Sequence, residues 1–526
     1  DVDHAFRLCE GLDVDKNDLH LPRTLEMIKR ATECISRELL WKVHLEAAQA
    51  QERGAHLAVE NDETVALNER LSESRKRFVI TISSCPSNLR WKVWLAAGRM
   101  ELSAGRFEEA RKLFLKSHSV VPVKGRPAVL LECARLEEFV GNSELAKAIL
   151  CKSRLEEGSD WKVWLQSVSL EMRGGNRQNA IKLALGGLKV HSGTGRLWAA
   201  LVQLREKDGE KAQMTALSQA LYAVPKSGEV WCEAARIFLN PLSILFNLET
   251  AARHLEFATK FTPQYGDSFL ETLRLQLLKR FVLPAHQTFI DELISTLNQF
   301  FQKEDNYSHL DFLIILSSTL KKAAETIKSN YSSSVTGKNI TTLLDTVDTS
   351  KLELQCSNAD PNYGKLWFHC RRRPSDTART VMKRAKNVIG HNLGRYGYLY
   401  VISAMRRIAI NMLNENINNR QKKKASTGGV DEKGTAEKNH VYKIPSLESL
   451  LLHEGGFEDF DYDKNINNTK SSKNSENNEH DIKLLEGGIS SSKFISGIYE
   501  LNGNIVLQDL PLMERRKILF GSDLLL

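Results

Sequence analysis

The sequence contains no uninterrupted run of roughly 18 apolar residues, the length that a membrane-spanning helix requires. It therefore predicts no membrane association. The hydrophobic fraction is 42% and the charged fraction is 26%, which is typical of a protein that folds in water. The chain begins at Asp1 rather than at Met, so we expect it to be a fragment of a longer protein. Any N-terminal targeting signal of that protein would then be missing from this sequence.

Cysteine is used sparingly and without a pattern. None of the eight Cys residues forms a C-x-x-C pair or lies with His at the spacing of a zinc site. This distribution is typical of a reducing compartment, the cytosol or the nucleus, where Cys serves as a small buried side chain. The sequence predicts no metal site.

The motifs of common enzymes are also missing. The patterns G-x-x-x-x-G-K-[ST], H-E-x-x-H and G-x-S-x-G do not occur. The two glycines of "HSGTGRLW" (191–198) are better explained as a turn between repeats, because Trp198 stands where a phosphate loop needs a free helix N-terminus. The sequence therefore predicts a non-catalytic protein with no cofactor and no small-molecule substrate.

An internal repeat is the strongest feature that is present. The stretches "RWKVWLAAG" and "DWKVWLQSV" begin 70 residues apart, at Arg90 and Asp160. Anchor residues of the repeat follow one another at steps of 36, 34, 34 and 33 residues: Trp94, Leu130, Trp164, Trp198 and Trp231. A Gly stands 11 residues after four anchors: Gly105, Gly141, Gly175 and Gly209. A Glu stands seven residues after three anchors: Glu101, Glu137 and Glu171.

Each repeat predicts a pair of helices. Apolar residues from Trp91 to Met100 recur at helical spacing, and Gly105 provides the left-handed residue that ends a helix. A second amphipathic helix follows over "RFEEARKLFLKSHSVV" (106–121), and Pro122 prevents its continuation. Helix pairs stacked in series form an α-solenoid. We therefore expect an all-α fold, a right-handed α-α superhelix of helix-turn-helix repeats with disordered insertions and a disordered C-terminal tail.

The repeat resembles the half-a-TPR (HAT) family of tetratricopeptide-like repeats. The resemblance rests on Trp pairs at the start of the first helix, the Glu seven residues later, and second helices such as "ARKLF" (110–114) and "AARHLEF" (251–257). It covers about residues 20–290 and 360–410. Departures are Leu130 in place of Trp, Arg205 and Phe238 in place of Glu, and a first unit of 50 residues. An ordinary tetratricopeptide array is the alternative for part of the chain.

Tryptophan is confined to first-helix positions of the predicted repeats. Exposed aromatic side chains stack nucleic-acid bases in some proteins. The repeat explains the period of these Trp residues and base stacking does not, so we interpret them as packing residues of the repeat core. The residues are Trp41, Trp91, Trp94, Trp161, Trp164, Trp198, Trp231 and Trp367.

The repeats divide the first part of the chain. Residues 1–290 are predicted to form the HAT/TPR-like array, and residues 291–327 to form degenerate helical repeats that lack the Trp mark. Residues 328–359 are rich in Ser, Thr and Asn and predict a flexible insertion. The stretch "DPNYGKLWFHC" then opens a further, basic helical repeat over residues 360–413.

The end of the chain has a different composition. Residues 414–493 are rich in Asn, Lys and Ser and predict a mostly disordered tail. Within this tail, "IPSLESLLLHEGGFEDFDY" (444–462) combines apolar and acidic residues, as in a short motif that binds a partner. Residues 494–526 form a short C-terminal segment.

Positive charge is concentrated in one region. Residues 371–424 contain 14 Lys and Arg but two acidic residues, although the net charge of the whole chain is only +8. Such a patch can neutralise RNA phosphates without reading their sequence. It can equally be a solvated helix face or an import signal in "RQKKK". The candidate RNA- or partner-binding residues are Arg371, Arg372, Arg373, Arg379, Lys383, Arg384, Lys386, Arg406 and Arg407.

The HAT resemblance implies a function. HAT proteins are characteristically scaffolds of RNA-processing assemblies, such as those of splicing, 3′-end cleavage, ribosome biogenesis and organellar RNA stability. We expect a nuclear scaffold that binds the protein partners of a ribonucleoprotein or RNA-processing complex and contacts RNA through the basic region. One alternative is a cytoplasmic, tetratricopeptide-like adaptor without RNA. Another is an organellar protein whose transit peptide precedes Asp1.

Overall fold

The computed structural model describes residues 20–60, 64–156, 159–240, 243, 245–303, 309–334, 347–371 and 376–426. Within these residues the fold is all-α, and the β-structure consists of one isolated bridge between Tyr265 and Tyr363. The predicted tail beyond residue 426 lies outside the described residues.

Six helix pairs follow the single helix α1 (His20–Cys34). The first helices of the pairs are α2 (Leu40–Glu60), α4 (Arg90–Ser103), α6 (Arg126–Val140), α8 (Trp161–Arg173), α10 (Gly195–Leu204) and α12 (Gly228–Leu239). The second helices are α3 (Thr64–Ser84), α5 (Phe107–Val120), α7 (Ser143–Leu155), α9 (Arg177–Val190), α11 (Glu210–Ala223) and α13 (Leu248–Phe261). Each pair packs on the next, which confirms the predicted α-solenoid.

Glycine separates the two helices of four pairs, as the sequence predicts. The φ angles are +75° at Gly105, +107° at Gly141, +75° at Gly175 and +95° at Gly209. A side chain with Cβ rarely adopts these angles, so the glycine stops the first helix and redirects the chain. Proline acts at the other end of the pair, where α5 ends at Val120 and the extended Val121 precedes Pro122.

The contact within a pair depends on small side chains. Ala110, Ala146, Ala180 and Ala251 are fully buried at equivalent points of their second helices. Four residues further along lie the buried Phe114 and Leu150. An Ala at the crossing lets two helices approach closely, and the larger residue one turn later fills the space between them.

The first unit is longer than the others because its helices are longer. The sequence places about 16 extra residues in this unit, and α2 and α3 each contain 21 residues. The buried residues Ala48 and Phe78 show that both helices pack along their length. The extra residues therefore extend the pair without interrupting the stack.

The second half of the chain departs from the repeat. The helix α14 (Asp267–Leu277) continues through one π-helical turn (Leu278–Val282) into α15 (Leu283–Lys303). The predicted array boundary at residue 290 therefore falls inside a helix. Without a glycine after Leu277, no residue favours the positive φ angle that ends a first helix.

The remaining helices form one hydrophobic cluster with α14 and α15. They are α16 (His309–Ser334), α17 (Ser350–Ala359), α18 (Lys365–Cys370) and α19 (Ala378–Ser426). Helix α19 has 49 residues and packs on α15, α16 and α17 through Val401, Ile402 and Ala409, all fully buried.

Two predicted boundaries differ from the structure. The insertion predicted at 328–359 is helical at both ends, because α16 reaches Ser334 and α17 spans Ser350–Ala359, while residues 335–346 lie outside the described part. The tail predicted from residue 414 starts later, because α19 continues to Ser426. Ile417 packs on the hydrophobic cluster and accounts for the first part of this extension.

Candidate partner-binding surfaces

The tryptophans lie where the helices of the array meet. Trp41 and Trp367 are buried, and the other six are half-buried. Trp164 packs over the second helix of its own pair, where a Cβ added to Gly186 or Gly187 would lie 3.1 or 3.2 Å from its ring. The indole nitrogens of Trp198 and Trp231 donate hydrogen bonds of 2.8 Å to the carbonyl oxygens of Ser192 and Pro225. These contacts hold the Trp164 ring and the indole N–H groups of Trp198 and Trp231 against their own repeats.

The glutamates seven residues after the anchors join successive pairs. Glu137 on α6 accepts hydrogen bonds of 2.7 and 3.0 Å from Arg111 on α5. Glu101 on α4 has the same relation to Arg75 on α3, with distances of 2.7 and 2.9 Å. Burial alone would raise the pKa of Glu137, but the hydrogen bonds from Arg111 and Asn142 outweigh burial and lower it. Each Glu therefore fixes the angle between one repeat and the next.

A second set of ion pairs, absent from the sequence prediction, connects neighbouring first helices. Glu132 on α6 lies between Arg99 of α4, at 2.6 Å, and Arg135 of its own helix, at 2.9 Å. Glu271 on α14 lies in the same way between Arg236 of α12 and Arg274, at 2.9 and 2.6 Å. Both carboxylates are almost fully buried, so their negative charge is compensated by these arginines rather than by water.

The signal for these pairs is present in the sequence. An acid stands two residues after the anchor and an Arg five residues after it in α6 and α12, as in Glu233 and Arg236 after Trp231. The same spacing follows Phe269 in α14. The spacing of three residues suggests only a pair within one helix. The bond to the next helix depends on how closely the repeats stack, which the sequence does not specify.

The chain returns to the array at residue 361 and docks on the last repeat. The motifs Pro-x-x-Gly-x-x-aromatic at Pro263 and Pro361 lie side by side, with a hydrogen bond of 2.8 Å from the Gly266 N–H to the Tyr363 carbonyl oxygen. The Asp267 carboxylate accepts a hydrogen bond of 2.9 Å from the backbone N–H of Trp367. A Cβ at Gly266 would lie 2.3 Å from the Trp367 ring. The α18 helix therefore stacks on α14 although 87 residues separate the two helices.

Arg196 reaches this returning segment from α10. Its guanidinium lies 3.8 Å from the centroid of the Tyr363 ring and 5.2 Å from that of the Trp161 ring. The Tyr363 hydroxyl donates a hydrogen bond of 2.7 Å to Glu229 on α12. Burial, followed by the Glu229 carboxylate, holds the pKa of Tyr363 well above its usual range, so the phenol stays protonated and can donate. Residues 361–367 thus contact α10, α12 and α14.

Lys365 brings a positive charge to the same place. The protein atoms around Lys365 displace water and lower the pKa of its ammonium, although the side chain still reaches solvent. The carboxylates of Glu233 and Asp267 act in the opposite direction, and Arg236 and Arg173 act in the same direction as burial. An ammonium in these surroundings faces charges from α8, α12 and α14 at once.

The residues of the predicted basic patch have different environments. Arg379 and Lys383 are exposed on α19, whereas Arg371, Arg384, Lys386, Arg406 and Arg407 are half-buried. Arg372 and Arg373 lie outside the described residues. The structure therefore presents Arg379 and Lys383 to solvent one helical turn apart.

Several of the half-buried basic residues make contacts within the protein. Arg384 pairs with Asp376. The Lys386 ammonium donates a hydrogen bond of 3.2 Å to the Val347 carbonyl oxygen. The Arg407 guanidinium lies 4.5 Å from the Phe246 ring centroid and 3.4 Å from the Ser243 carbonyl oxygen. These three side chains connect the long helix to its neighbours.

Comparison with known families identifies the repeat. The family described as "PRP6, TPR-like domain" matches residues 3–386 of this chain. This chain belongs to the PRP6 TPR-like family. The match includes the whole Trp-marked array and ends inside α19, so Arg406 and Arg407 lie beyond it. Proteins of this fold are in general repeat scaffolds rather than enzymes.

One relative agrees with the PRP6 TPR-like assignment. A TPR-containing protein of Dictyostelium discoideum is 40% identical over 423 residues, which covers 78% of this chain and 26% of the relative. The chain thus spans about a quarter of that protein. Among solved structures, the APC/C hetero-tetramer Cut9-Hcn1 is 20% identical with a TM-score of 0.27, and covers 50% of this chain and 49% of that one. A circular tandem repeat protein is 16% identical with a TM-score of 0.16, and covers 80% and 95%. TM-scores this low add no support.

Two features were not found in the described part of this PRP6-like chain. In these residues no group of three or more His, Cys, Asp or Glu side chains is placed to hold a metal ion. None of the helices that the structure describes is long and apolar enough to cross a membrane.

Proposed function

We propose that this chain is a non-catalytic scaffold in an RNA-processing assembly, of the kind that matures pre-mRNA, and that it acts in the nucleus. The observation that carries the proposal is the match to the PRP6 TPR-like family, a family of splicing factors. A stack of helix pairs offers a long surface on which several proteins can bind side by side. The protein partners would be subunits of the same ribonucleoprotein complex.

The buried ion pairs support a scaffold role. Glu132 and Glu271 are each held by one Arg of a neighbouring first helix and one Arg of their own helix, and Glu137 is held by Arg111. Such contacts keep each repeat at a fixed angle to the next, so that the surface of the array has one shape. A surface with one shape binds partners without first losing conformational freedom.

RNA contact is proposed for the exposed part of the basic region. Arg379 and Lys383 are open to solvent and lie on one face of α19, four residues apart. Two cations at this spacing can neutralise neighbouring phosphates and would give binding that weakens as salt concentration rises. Arg372 and Arg373 precede them in the sequence and belong to the same proposal.

Ultraviolet crosslinking tests the RNA contact. The full chain and the variant Arg379→Glu/Lys383→Glu are crosslinked to RNA in cells and in vitro over a range of salt concentrations. We expect the variant to lose most crosslinks and the slope of log affinity against log salt to fall by about 1.4, the value for two phosphates of a single strand. The control is Arg253→Glu/Lys260→Glu, which reverses two exposed charges on α13. Equal crosslinking of all three proteins would show that this region does not bind RNA.

A second candidate function is a protein–protein adaptor without RNA. The observation that favours it is that Arg384, Lys386 and Arg407 make contacts within the protein, which leaves fewer cations for phosphates. The same crosslinking experiment separates the two functions. An adaptor would show no RNA crosslinks in the original chain or in the Arg379→Glu/Lys383→Glu variant, and the variant would retain its protein partners.

A further inference from the structure

Four second helices expose an apolar side chain at equivalent positions on their outer surface. We call these residues the outer row: Val79, Leu115, Cys151 and Leu185 of α3, α5, α7 and α9. Each follows directly after the buried residue that packs into the array, as Leu115 follows Phe114. Val79 and Leu115 are both 67% exposed. A repeated apolar position that faces water on successive helices marks an interaction surface.

The stretches of chain that carry the outer row are positively charged, and the acids that precede them on the same helices, such as Glu109 and Glu144, pair with Lys112 and Lys147. The ten residues from Ser74, Ala110, Ala146 and Ala180 onward contain 11 Lys and Arg and no Asp or Glu. Some of these cations pair with acids outside the stretches, as Arg75 does with Glu101 and Arg111 with Glu137. Others are exposed beside the outer row: Lys116, Lys152, Lys182 and Lys189. The surface therefore combines apolar anchors with a positive border.

One segment of the chain has the opposite character. Residues 444–463 contain six acidic residues and no Lys or Arg, together with seven Leu, Phe and Tyr residues. The segment lies outside the described residues. Apolar side chains can contact the outer row while carboxylates lie near the lysines, which is the complementarity that selects one partner over others.

We propose that the outer row of α3, α5, α7 and α9 binds residues 444–463 of this same chain. The 17 residues between Ser426 and Ile444 span up to about 60 Å when extended. A segment on such a tether has an effective concentration on the order of 1 mM at sites within reach. Binding with a dissociation constant of about 100 μM would then leave the outer row open in roughly one molecule in ten.

Cys151 makes the proposal measurable in the full chain, because it lies within the outer row and is exposed. The rate of its alkylation by iodoacetamide is measured together with that of Cys34, which is exposed on α1, away from the row. The test variant replaces the six acids: Glu448→Gln, Glu454→Gln, Glu458→Gln, Asp459→Asn, Asp461→Asn and Asp463→Asn. We expect Cys151 to react about tenfold faster in this variant and Cys34 to react at an unchanged rate.

A matched control keeps the same number of changes in the same tail. It carries Asp431→Asn, Glu432→Gln, Glu437→Gln, Glu476→Gln, Glu479→Gln and Asp481→Asn, and Cys151 should react as in the original chain. Equal Cys151 rates in all three proteins would overturn the proposal. A faster rate in the control as well would assign the effect to tail charge in general and would also overturn it.

Photo-crosslinking identifies the occupant directly. A benzophenone side chain is introduced at position 115 of the full chain, and at position 354 as a control, because Leu354 is exposed on α17. Crosslinks from position 115, but not from position 354, should fall within residues 444–463 and should diminish at high salt. Crosslinks from position 115 only to other proteins, to other parts of the tail or to RNA would show that something else covers the outer row.

Discussion

The Arg196 guanidinium lies 3.8 Å from the centroid of the Tyr363 ring, so it joins the fifth helix pair to a segment that follows 167 residues later. Together with the hydrogen bond from Tyr363 to Glu229, it fixes residues 361–370 on the array. The array and the long-helix part of the chain are thereby connected by side chains as well as by the backbone.

The Arg196–Tyr363 contact should be detectable as a coupling energy. In a double-mutant cycle of Arg196→Ala and Tyr363→Ala, we expect about 0.5–2 kcal/mol of coupling, as for a partly desolvated cation–π pair. The measurement is hydrogen exchange at the Trp367 amide, which reports local opening of α18. Strictly additive effects of the two changes would show that the stacked geometry contributes nothing.

We expect that Gly266 cannot be replaced without a loss of stability, because a side chain would collide with a neighbouring ring rather than because of the backbone angle. Its φ angle of −62° suits any residue, but a Cβ would lie 2.3 Å from the Trp367 ring. Gly266→Ala should therefore destabilise the α18 contact by about 1–3 kcal/mol. Gly193→Ala is the control, because a Cβ there meets nothing within 4 Å, and its effect should stay within about 0.5 kcal/mol. Hydrogen exchange of α14 and α18 compares the two variants, and equal protection would contradict the packing.

The bond between Glu137 and Arg111 should make the α5–α6 junction sensitive to acid. The pKa of Glu137 is lowered in the folded protein, so the unfolded state binds more protons and stability rises with pH. The contribution is complete above the unfolded pKa of about 4.3 and is lost as the pH falls through the lower, folded value. Glu137→Gln should cost about 1.5–3 kcal/mol at pH 7 and progressively less below pH 4.

Exchange of the α5 and α6 amides at pH 7 and at acidic pH measures this difference. Glu108→Gln removes the other, mostly exposed carboxylate that contacts Arg111 and should cost no more than about 1 kcal/mol. A cost for Glu137→Gln that does not change with pH would contradict the assignment.

Lys365 should be unusually reactive toward amine reagents. Its pKa is lowered and its side chain reaches solvent, so a larger fraction is neutral and nucleophilic at pH 8 than for an ordinary lysine. Acetylation at limiting reagent, quantified by mass spectrometry, should modify Lys365 before Lys351, an exposed lysine on α17. Slower modification of Lys365 than of Lys351 would mean that the surrounding carboxylates dominate over desolvation.

The repeats were predictable from the sequence because their signals are local. The glycines at 105, 141, 175 and 209 have positive φ angles in the structure, and the Trp-marked helices begin where the pattern places them. A glycine at a fixed offset acts on its own backbone, so its effect does not depend on distant residues. The periodic part of the fold therefore follows from the sequence.

The long helices were not predictable in the same way. Helix α19 contains Gly390, Gly394 and Gly397, which disfavour a helix by about 1 kcal/mol each. Its packing on α15, α16 and α17 through residues such as Val401 and Met405 offsets this cost, and packing of this kind is not visible in a local pattern.

The contacts of the basic region were likewise not predictable from a local sequence pattern. Charge spacing placed Arg379 and Lys383 on one face, and both are exposed. It could not show that Arg384 pairs with Asp376 or that Arg407 packs on Phe246, because these contacts depend on the chain that folds against α19. RNA binding by this region stays a prediction.

Affinity purification of the tagged chain from its own cells, followed by mass spectrometry, tests the scaffold proposal most directly. The purification is performed with and without ribonuclease, so that partners bound through protein are separated from those bound through RNA. We predict that subunits of one RNA-processing complex are recovered and that a core set survives ribonuclease treatment. Recovery of only cytoskeletal proteins or chaperones, without RNA-processing proteins under either condition, would contradict the account.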